Sequence, residues 1–155
     1  MNPDEQLSKI RERIDAIDSQ LLELISERAR CAQAVARVKL DASQSDEAPP
    51  VFYRPEREAQ VLRAIQERNT GPLASEHVAS VFRELMSSCL ALEQPLSVAF
   101  LGPEGTYSQA AALKHFGQSA LPQGQASIHK VFRQVEERLC DYGVVPVENS
   151  TEGMV

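Results

Sequence analysis

The chain has 155 residues, of which 43% are hydrophobic and 25% charged, a composition typical of a folded globular protein. Lysine and arginine number 16 against 22 for aspartate and glutamate, which gives a net charge of −6. This acidic balance argues against a nucleic-acid-binding protein, because such domains carry a basic surface. The length suits one ordinary domain or two small ones.

Three cysteines are an odd number without CxxC spacing, so they indicate neither a metal site nor a disulfide framework. The first residues lack the basic and apolar regions of a signal peptide. No apolar run approaches the roughly 20 residues that a membrane-spanning helix needs. These features predict a cytoplasmic protein that does not cross a membrane.

Residues 4 to 40 are predicted to form one long helix, since neither proline nor glycine interrupts them. Apolar residues recur at spacings of three and four, in a stripe too narrow for a helix that packs alone. We call this the apolar stripe; it comprises Leu7, Ile10, Ile14, Ile17, Leu21 and Leu24. Cys31 continues the pattern further along and is expected to be a small core residue.

Arg28 takes the position in this pattern where the next apolar residue is expected. Burying an unpaired guanidinium is strongly unfavourable, so Arg28 requires an anionic partner. That partner is either a protein carboxylate, for which Glu23 and Glu27 are candidates, or an anionic ligand inside a helical bundle. Taken alone, Arg28 favours the first alternative, in which a protein carboxylate neutralises it.

Lys39 follows Arg28 by 11 positions, which places the two about 20° apart around the helix and about 16 Å apart along it. Two long cationic side chains on one face can converge on a small dianion. Arg11 lies about 25 Å from Arg28 and cannot easily reach the same ligand. If a ligand binds here, Arg11 must come from another subunit, which predicts a dimer with composite sites.

A polar stretch that ends in two prolines follows, and a second helix is predicted from Pro55 to about Asn69. Ser75 is predicted to cap a third helix. Cys89 and Glu93 share one face of that helix, so a carboxyl group stands at the end of an apolar stripe. Alternatively, Glu93 simply marks the point where the helix emerges into a linker.

After residue 94 the pattern changes to alternating strands and helices. Strands are predicted at 97–101 and 142–147, with helices at 107–116 and 127–138 between them. This order predicts an α/β domain with some parallel pairing. The glycine-rich loop at 102–106 joins a strand to a helix and can receive an anion, although a plain turn explains it equally well.

Taken together, the residues resemble the all-helical class of chorismate mutase. The resemblance rests on the long helix, on Arg-Pro-Glu-Arg-Glu at 54–58, and on the helix that ends in Cys-Leu-Ala-Leu-Glu at 89–93. Residues 98–111 and 146–153 resemble two motifs of prephenate dehydratase. Nearly the whole chain is similar to the N-terminal part of the bifunctional chorismate mutase–prephenate dehydratase family.

The resemblance implies a multi-domain chain. An all-α, three-helix chorismate mutase domain at 1–93 forms an interlocked homodimer, and a linker at 94–96 leads to an incomplete α/β domain at 97–155. The implied reaction converts chorismate to prephenate in phenylalanine biosynthesis, without a nucleophile, metal or cofactor. Within the site, the implied catalytic and substrate-binding residues are Arg11, Arg28, Lys39, Arg57, Glu58, Cys89 and Glu93.

By resemblance, Arg28 and Arg11 of the partner subunit grip the two substrate carboxylates, and Lys39 donates a hydrogen bond to the ether oxygen. Arg57 helps to hold the site and the substrate, whose hydroxyl donates to Glu58. Glu93 departs from relatives that carry glutamine, which donates a second hydrogen bond. A carboxylate cannot donate, so we expect apolar surroundings and the anionic substrate to raise the Glu93 pKa above its ordinary value of about 4.3.

Two further departures concern ligand contacts. Cys89 stands where some relatives carry serine, and Arg54 where some carry aspartate. In the α/β domain, the resemblance implies a possible prephenate site formed by Thr106, Ser108, Glu148, Asn149 and Ser150. The chain lacks the downstream Thr-Arg-Phe element and the phenylalanine-sensing segment of that family. We therefore expect neither dehydratase activity nor feedback inhibition from this chain, which is expected to be a fragment of a longer parent.

Two interpretations from other functional classes remain open. One is a non-enzymatic helical dimerisation module in which local carboxylates neutralise Arg28 and Lys39. The other is a small-anion-binding domain built around the strand, loop and helix at 97–116. Substitution of Arg28 separates the enzyme from these alternatives. Loss of turnover with the dimer retained favours the enzyme, whereas loss of the dimer alone favours the module.

Overall fold

The computed structural model describes residues 2–43, 50–149 and 153–154. The chain divides into two compact units, Met1–Ala48 and Pro49–Val155. Its elements in chain order are α1 (Pro3–Ser43), α2 (Pro55–Arg68), α3 (Ser75–Glu93), β1 (Ser97–Leu101), α4 (Tyr107–Phe116), β2 (Leu121–Gln125), α5 (Ile128–Glu136), β3 (Tyr142–Val144), β4 (Glu148–Asn149) and β5 (Gly153–Met154).

The first unit is essentially one helix, which confirms the long helix expected at residues 4–40. Its 41 residues span about 60 Å, and two acidic residues in the first turn complement the positive end of the helix dipole. Every member of the apolar stripe is between 46% and 62% exposed in the single chain. Cys31 is also exposed, contrary to the expected core position.

Helices α2 and α3 pack against each other and are joined by a loop that one side chain organises. The Asn69 amide donates to the Leu73 carbonyl at 2.8 Å and to the Ser75 hydroxyl at 3.2 Å. Its carbonyl oxygen accepts from the Gly71 N–H at 3.3 Å. Ser75 is therefore the first helical residue and Ala74 the N-cap, one residue earlier than predicted.

The α/β part is built on a parallel three-stranded sheet of order β2-β1-β3, which confirms the predicted parallel pairing. Alternate residues of the central strand face opposite sides of the sheet. Val98 packs with α4 residues on one side, whereas Ala99 packs with Val131 of α5 on the other. Phe100 is fully buried, so this part of the chain holds a core of its own.

The sequence pattern missed strand β2, whose sequence Leu-Pro-Gln-Gly-Gln lacks alternating apolar residues. Pro122 is tolerated because β2 lies at the edge of the sheet, where a strand does not need every N–H group. Strand β3 ends at Val144, three residues before the predicted end at Val147. Strands β4 and β5 pair in antiparallel orientation beyond it.

Within the described ranges, no helix combines the length and the apolar character needed to cross a membrane.

Candidate active site

Three of the predicted site residues lie on α1. Arg28 and Lys39 are half-buried, and Arg11 is exposed. The uninterrupted helix keeps Arg28 and Lys39 on one face, as the spacing required. Their side chains are thus presented together by the first unit, whereas Arg11 is presented separately, about 25 Å away.

Two predicted residues lie in the first turn of α2. Pro55 occupies the first helical position, where its fixed backbone angle favours the start of a helix. Arg57 is exposed, whereas Glu58 is half-buried. Burial raises the pKa of the Glu58 carboxyl, while the positive charges of Arg83 and His115 act in the opposite direction. The preceding N-cap residue, Arg54, is exposed and makes no side-chain capping hydrogen bond.

The last turns of α3 carry the other two predicted residues. Cys89 is 4% exposed, and Glu93 is half-buried at the final helical position. Because they are four residues apart, both lie on one face of α3. The second unit therefore carries both groups of predicted residues, on two helices that pack against each other.

The opposite face of α3 is attached to the loop after α4. The Glu84 carboxylate accepts from the Gln118 N–H at 3.0 Å, and the Ser88 and Ser119 hydroxyl oxygens lie 3.2 Å apart. Gly117 has a φ of +88°, and a Cβ there would overlap Ser87. These contacts lie about 100–180° around the helix from Cys89 and Glu93. One helix thus serves both the helical part and the α/β part.

The loop at 102–106 caps helix α4. The Thr106 hydroxyl accepts from the Gln109 backbone N–H at 3.4 Å, and the Gln109 side-chain oxygen Oε1 accepts from the Gly105 backbone N–H at 2.6 Å. This reciprocal arrangement is a variant of the capping box. Gly102 and Gly105 have φ of +100° and +84°, a backbone region that favours glycine. The Gly105 N–H, predicted to be open to an anion, is thus used by Gln109.

The described candidates of the α/β part follow strands that end on the same side of the sheet. Since β1 and β3 are parallel neighbours, the chain leaves both at one end of the sheet, toward Thr106 and Glu148 respectively. Ser108 is half-buried in the first turn of α4, and Glu148 is exposed in β4. Asn149 follows in β4, and Ser150 lies outside the described residues.

Residues 10–94, more than half of the chain, match the family Chorismate mutase type II. The chain belongs to this family. Residues 98–155 match a second family, Prephenate dehydratase. These matches confirm the predicted order of a helical chorismate mutase followed by a prephenate dehydratase-like part.

Curated relatives extend the similarity over the whole chain. The bifunctional chorismate mutase/prephenate dehydratase of Pseudomonas aeruginosa is 63% identical over 155 residues, covering 100% of this chain and 42% of the relative. The protein of the same name from Neisseria gonorrhoeae is 51% identical over 152 residues, covering 98% and 40%. The chain therefore spans less than half of the length of these relatives.

A solved structure agrees with the helical assignment. Chorismate mutase (form II) from Thermus thermophilus is 27% identical, with a TM-score of 0.52, and the similarity covers 57% of this chain and 94% of that one. The predicted combination of a chorismate mutase fold with a partial α/β domain is thereby confirmed. The roles of individual site residues stay predictions.

Sequence reasoning missed three side chains that interact electrostatically with Glu58. Arg83 and His115 change its pKa, and Tyr53 shares its environment. They come from α3, from α4 and from the segment before α2, so no local spacing connects them. The available sequence signal was the position of Tyr53, an aromatic residue two positions before the proline that starts α2.

Proposed function

We propose that this chain converts chorismate to prephenate. The family match over residues 10–94 is the observation that carries the proposal. It is supported by a helix that keeps two half-buried cations, Arg28 and Lys39, on one face. A dianionic substrate has two carboxylates, which can pair with cationic side chains of this kind.

The reaction is an intramolecular rearrangement in which a carbon–oxygen bond breaks as a carbon–carbon bond forms. It therefore requires neither a nucleophile nor an external electron acceptor. The protein has two tasks. It holds the flexible dianion in the compact conformer in which the reacting carbons meet, and it stabilises negative charge that develops on the ether oxygen.

Arginines suit the first task because the planar guanidinium binds a carboxylate through two parallel hydrogen bonds. We assign one substrate carboxylate to Arg28 and the other to Arg11 of the partner subunit. The exposure of Arg11 supports this assignment, as does its distance of about 25 Å from Arg28 along the helix. A single subunit cannot readily bring both arginines to one small ligand.

Lys39 and Glu93 take the second task. The Lys39 ammonium donates a hydrogen bond to the ether oxygen. The Glu93 carboxyl donates another when it is protonated, because an ionised carboxylate has no proton to donate and repels the developing charge. Glu93 is half-buried and shares its helix face with the buried Cys89, so its carboxyl group is partly removed from water.

The start of α2 contributes the remaining polar contacts. Glu58 accepts a hydrogen bond from the substrate hydroxyl, and Arg57 helps to hold the site and the substrate. The surroundings of Glu58 support this role, since a half-buried carboxyl group that lacks bulk water gains from an added donor. Cys89 lines the site as a small, weakly polar side chain.

We propose that the active form is a homodimer. The exposed apolar stripe of α1 supports this proposal, because six large aliphatic side chains at 46–62% exposure form a long surface that a second copy can cover. The three cysteines are free, which agrees with action in the reducing cytoplasm.

We propose a domain boundary at the linker 94–96, with the chorismate mutase domain at 1–93 and the dehydratase-like domain at 97–155. This boundary differs from the division into compact units because α3 packs against the loop after α4. For the dehydratase-like domain we propose prephenate binding by Thr106, Ser108, Glu148, Asn149 and Ser150. The match of residues 98–155 to the Prephenate dehydratase family supports it.

The test is to supply chorismate to the purified chain and to measure prephenate and phenylpyruvate separately. Formation of prephenate at a rate that depends on enzyme concentration supports the proposed mutase. A folded dimer that leaves chorismate unchanged contradicts it and favours a non-enzymatic dimerisation module. Phenylpyruvate measured against a blank of prephenate alone reports any contribution of the dehydratase-like domain.

A further inference from the structure

An aromatic cluster joins the segment before α2 to the α/β part. Tyr53 lies outside the helix, two residues before Pro55. Its ring centroid is 5.4 Å from that of Tyr142 in β3 and 6.0 Å from that of Phe116 at the end of α4, with interplanar angles of 87° and 62°. Both are the edge-to-face arrangements that aromatic pairs prefer. Tyr53 is therefore anchored in the α/β core rather than in the helical hairpin.

Glu58 lies in the same environment, one turn into α2. Burial, the negative charge of Glu58 and the neighbouring Tyr142 together raise the pKa of the Tyr53 hydroxyl to about 12, against the opposing charge of Arg83. Burial raises the pKa of Glu58 as well, against the charges of Arg83 and His115. The charged and titratable neighbours of Glu58 thus come from the segment before α2, from α3 and from α4.

Helix α2, which carries Glu58, and its neighbour α3 are both fixed to the α/β part. Helix α2 is anchored through Tyr53, and α3 is anchored through Glu84 and Ser88, which contact the loop after α4. A side chain in the first turn of α2 cannot move far while the residue five positions earlier is held in a packed core. The position of Glu58 therefore depends on side chains that belong to the dehydratase-like part.

We propose that Tyr53 is a positioning residue for Glu58, through which the α/β part sets the geometry of the chorismate mutase site. Tyr53 itself touches no substrate; its ring fixes the start of α2. The expected effect of Tyr53 on turnover rests on the proposed function. The effect of Tyr53 on the position of Glu58 is independent of that function. Two measurements on the full chain separate these two statements.

The first measurement is the titration of the Glu58 carboxyl carbon by ¹³C NMR, assigned with Glu58→Gln. We expect Tyr53→Ala to admit water and to lower the Glu58 pKa toward its ordinary value, because burial is the main cause of its elevation. Tyr53→Phe keeps the ring and the elevated pKa. Phe132→Ala removes an exposed aromatic residue of α5 and leaves the titration unchanged.

The second measurement is kcat/KM for chorismate in a double-mutant cycle. We expect Tyr53→Ala to lower kcat/KM about tenfold, since misplacing a group in the site is costly, and Tyr53→Phe to restore it. In the Glu58→Gln background, Tyr53→Ala should cost less than about twofold, because the side chain that it positions is already changed. Equal losses in both backgrounds overturn the positioning role.

The two measurements remain informative if one fails. If the wild-type chain does not turn over chorismate, the proposed function is wrong, and the Glu58 titration alone decides the positioning role. An unchanged Glu58 titration in Tyr53→Ala overturns that role whatever the activity. Should Tyr53→Ala fail to fold, Tyr53→Leu removes the edge-to-face contacts while it keeps an apolar side chain, and the same outcomes apply.

Discussion

The two units of the chain differ in how far they bury their apolar residues. In α1, the apolar stripe remains about half exposed, whereas the central strand β1 is covered by α4 on one side and α5 on the other. The units also carry different predicted site residues, since the cations Arg28 and Lys39 lie in the first and the carboxyls Glu58 and Glu93 in the second. The first unit thus leaves an apolar surface exposed, whereas the second already holds a core.

The largest expected effect concerns the cations of the first unit. Arg28→Ala removes the guanidinium that we assign to a substrate carboxylate and should lower kcat/KM for chorismate by about 100- to 1,000-fold. Steady-state kinetics and sedimentation velocity on the same sample check it. Arg28→Lys keeps the charge but loses the two-pronged geometry, so it should recover only part of the loss.

If Arg28→Ala dissociates the dimer and activity returns at high protein concentration, Arg28 serves assembly rather than substrate binding. That outcome would remove the proposed contact between Arg28 and a substrate carboxylate. Full activity in an intact dimer would contradict the substrate contact directly.

The next effect tests whether α1 needs a second copy. Ile17→Glu places a charge in the apolar stripe, where covering it in a dimer is strongly unfavourable, so we expect monomers at micromolar concentration and little turnover. Ser19→Glu introduces the same charge on the opposite side of α1, where Ser19 is exposed. Sedimentation equilibrium over a range of concentrations compares the two.

A dimer that withstands Ile17→Glu would show that another surface holds the copies together. The exposed stripe would then require a different explanation, and the contrast between an open first unit and a packed second unit would lose its functional meaning.

The third prediction concerns Glu93 in the second unit. At neutral pH, its substitution should change kcat/KM less than the substitutions in α1. If Glu93 donates a hydrogen bond, only its protonated form is active. We then expect kcat/KM to fall about tenfold per pH unit once Glu93 ionises. Glu93→Gln donates at any pH and should flatten the decline, whereas Glu76→Gln, in the exposed first turn of α3, should not. A wild-type profile that is flat from about pH 5 to about pH 9 would exclude this role.

Periodicity sufficed for the helices because their signals are local. The apolar stripe predicted α1, and prolines or glycines marked the ends of α2. Strand β2 was not predicted because its pairing with β1, rather than its own sequence pattern, makes it a strand. Each of its five residues is paired with β1. A pairing partner 24 residues away leaves no local pattern.

The candidate site divides in the same way. Arg28 and Lys39 could be connected from the sequence because an uninterrupted helix fixes their relative direction. The neighbours of Glu58 could not be found in this way, because Tyr53, Arg83 and His115 meet only after three elements have packed. Family resemblance supplied roles for single residues, but it carries no information on what surrounds them in this chain.

The smallest expected effect tests the packing that makes the second unit one body. Gly117 combines a φ of +88° with close contact to Ser87, so Gly117→Ala requires both backbone strain and movement of α3. We expect it to lower the free energy of unfolding by about 1–3 kcal/mol. At Gly71 a Cβ would meet only the Asn69 side-chain oxygen, at 3.6 Å, so Gly71→Ala should change it by less than about 0.5 kcal/mol. Urea unfolding followed by circular dichroism compares the two variants.

Equal effects of Gly117→Ala and Gly71→Ala would mean that α3 does not depend on the loop after α4. The second unit would then behave as two independently packed parts.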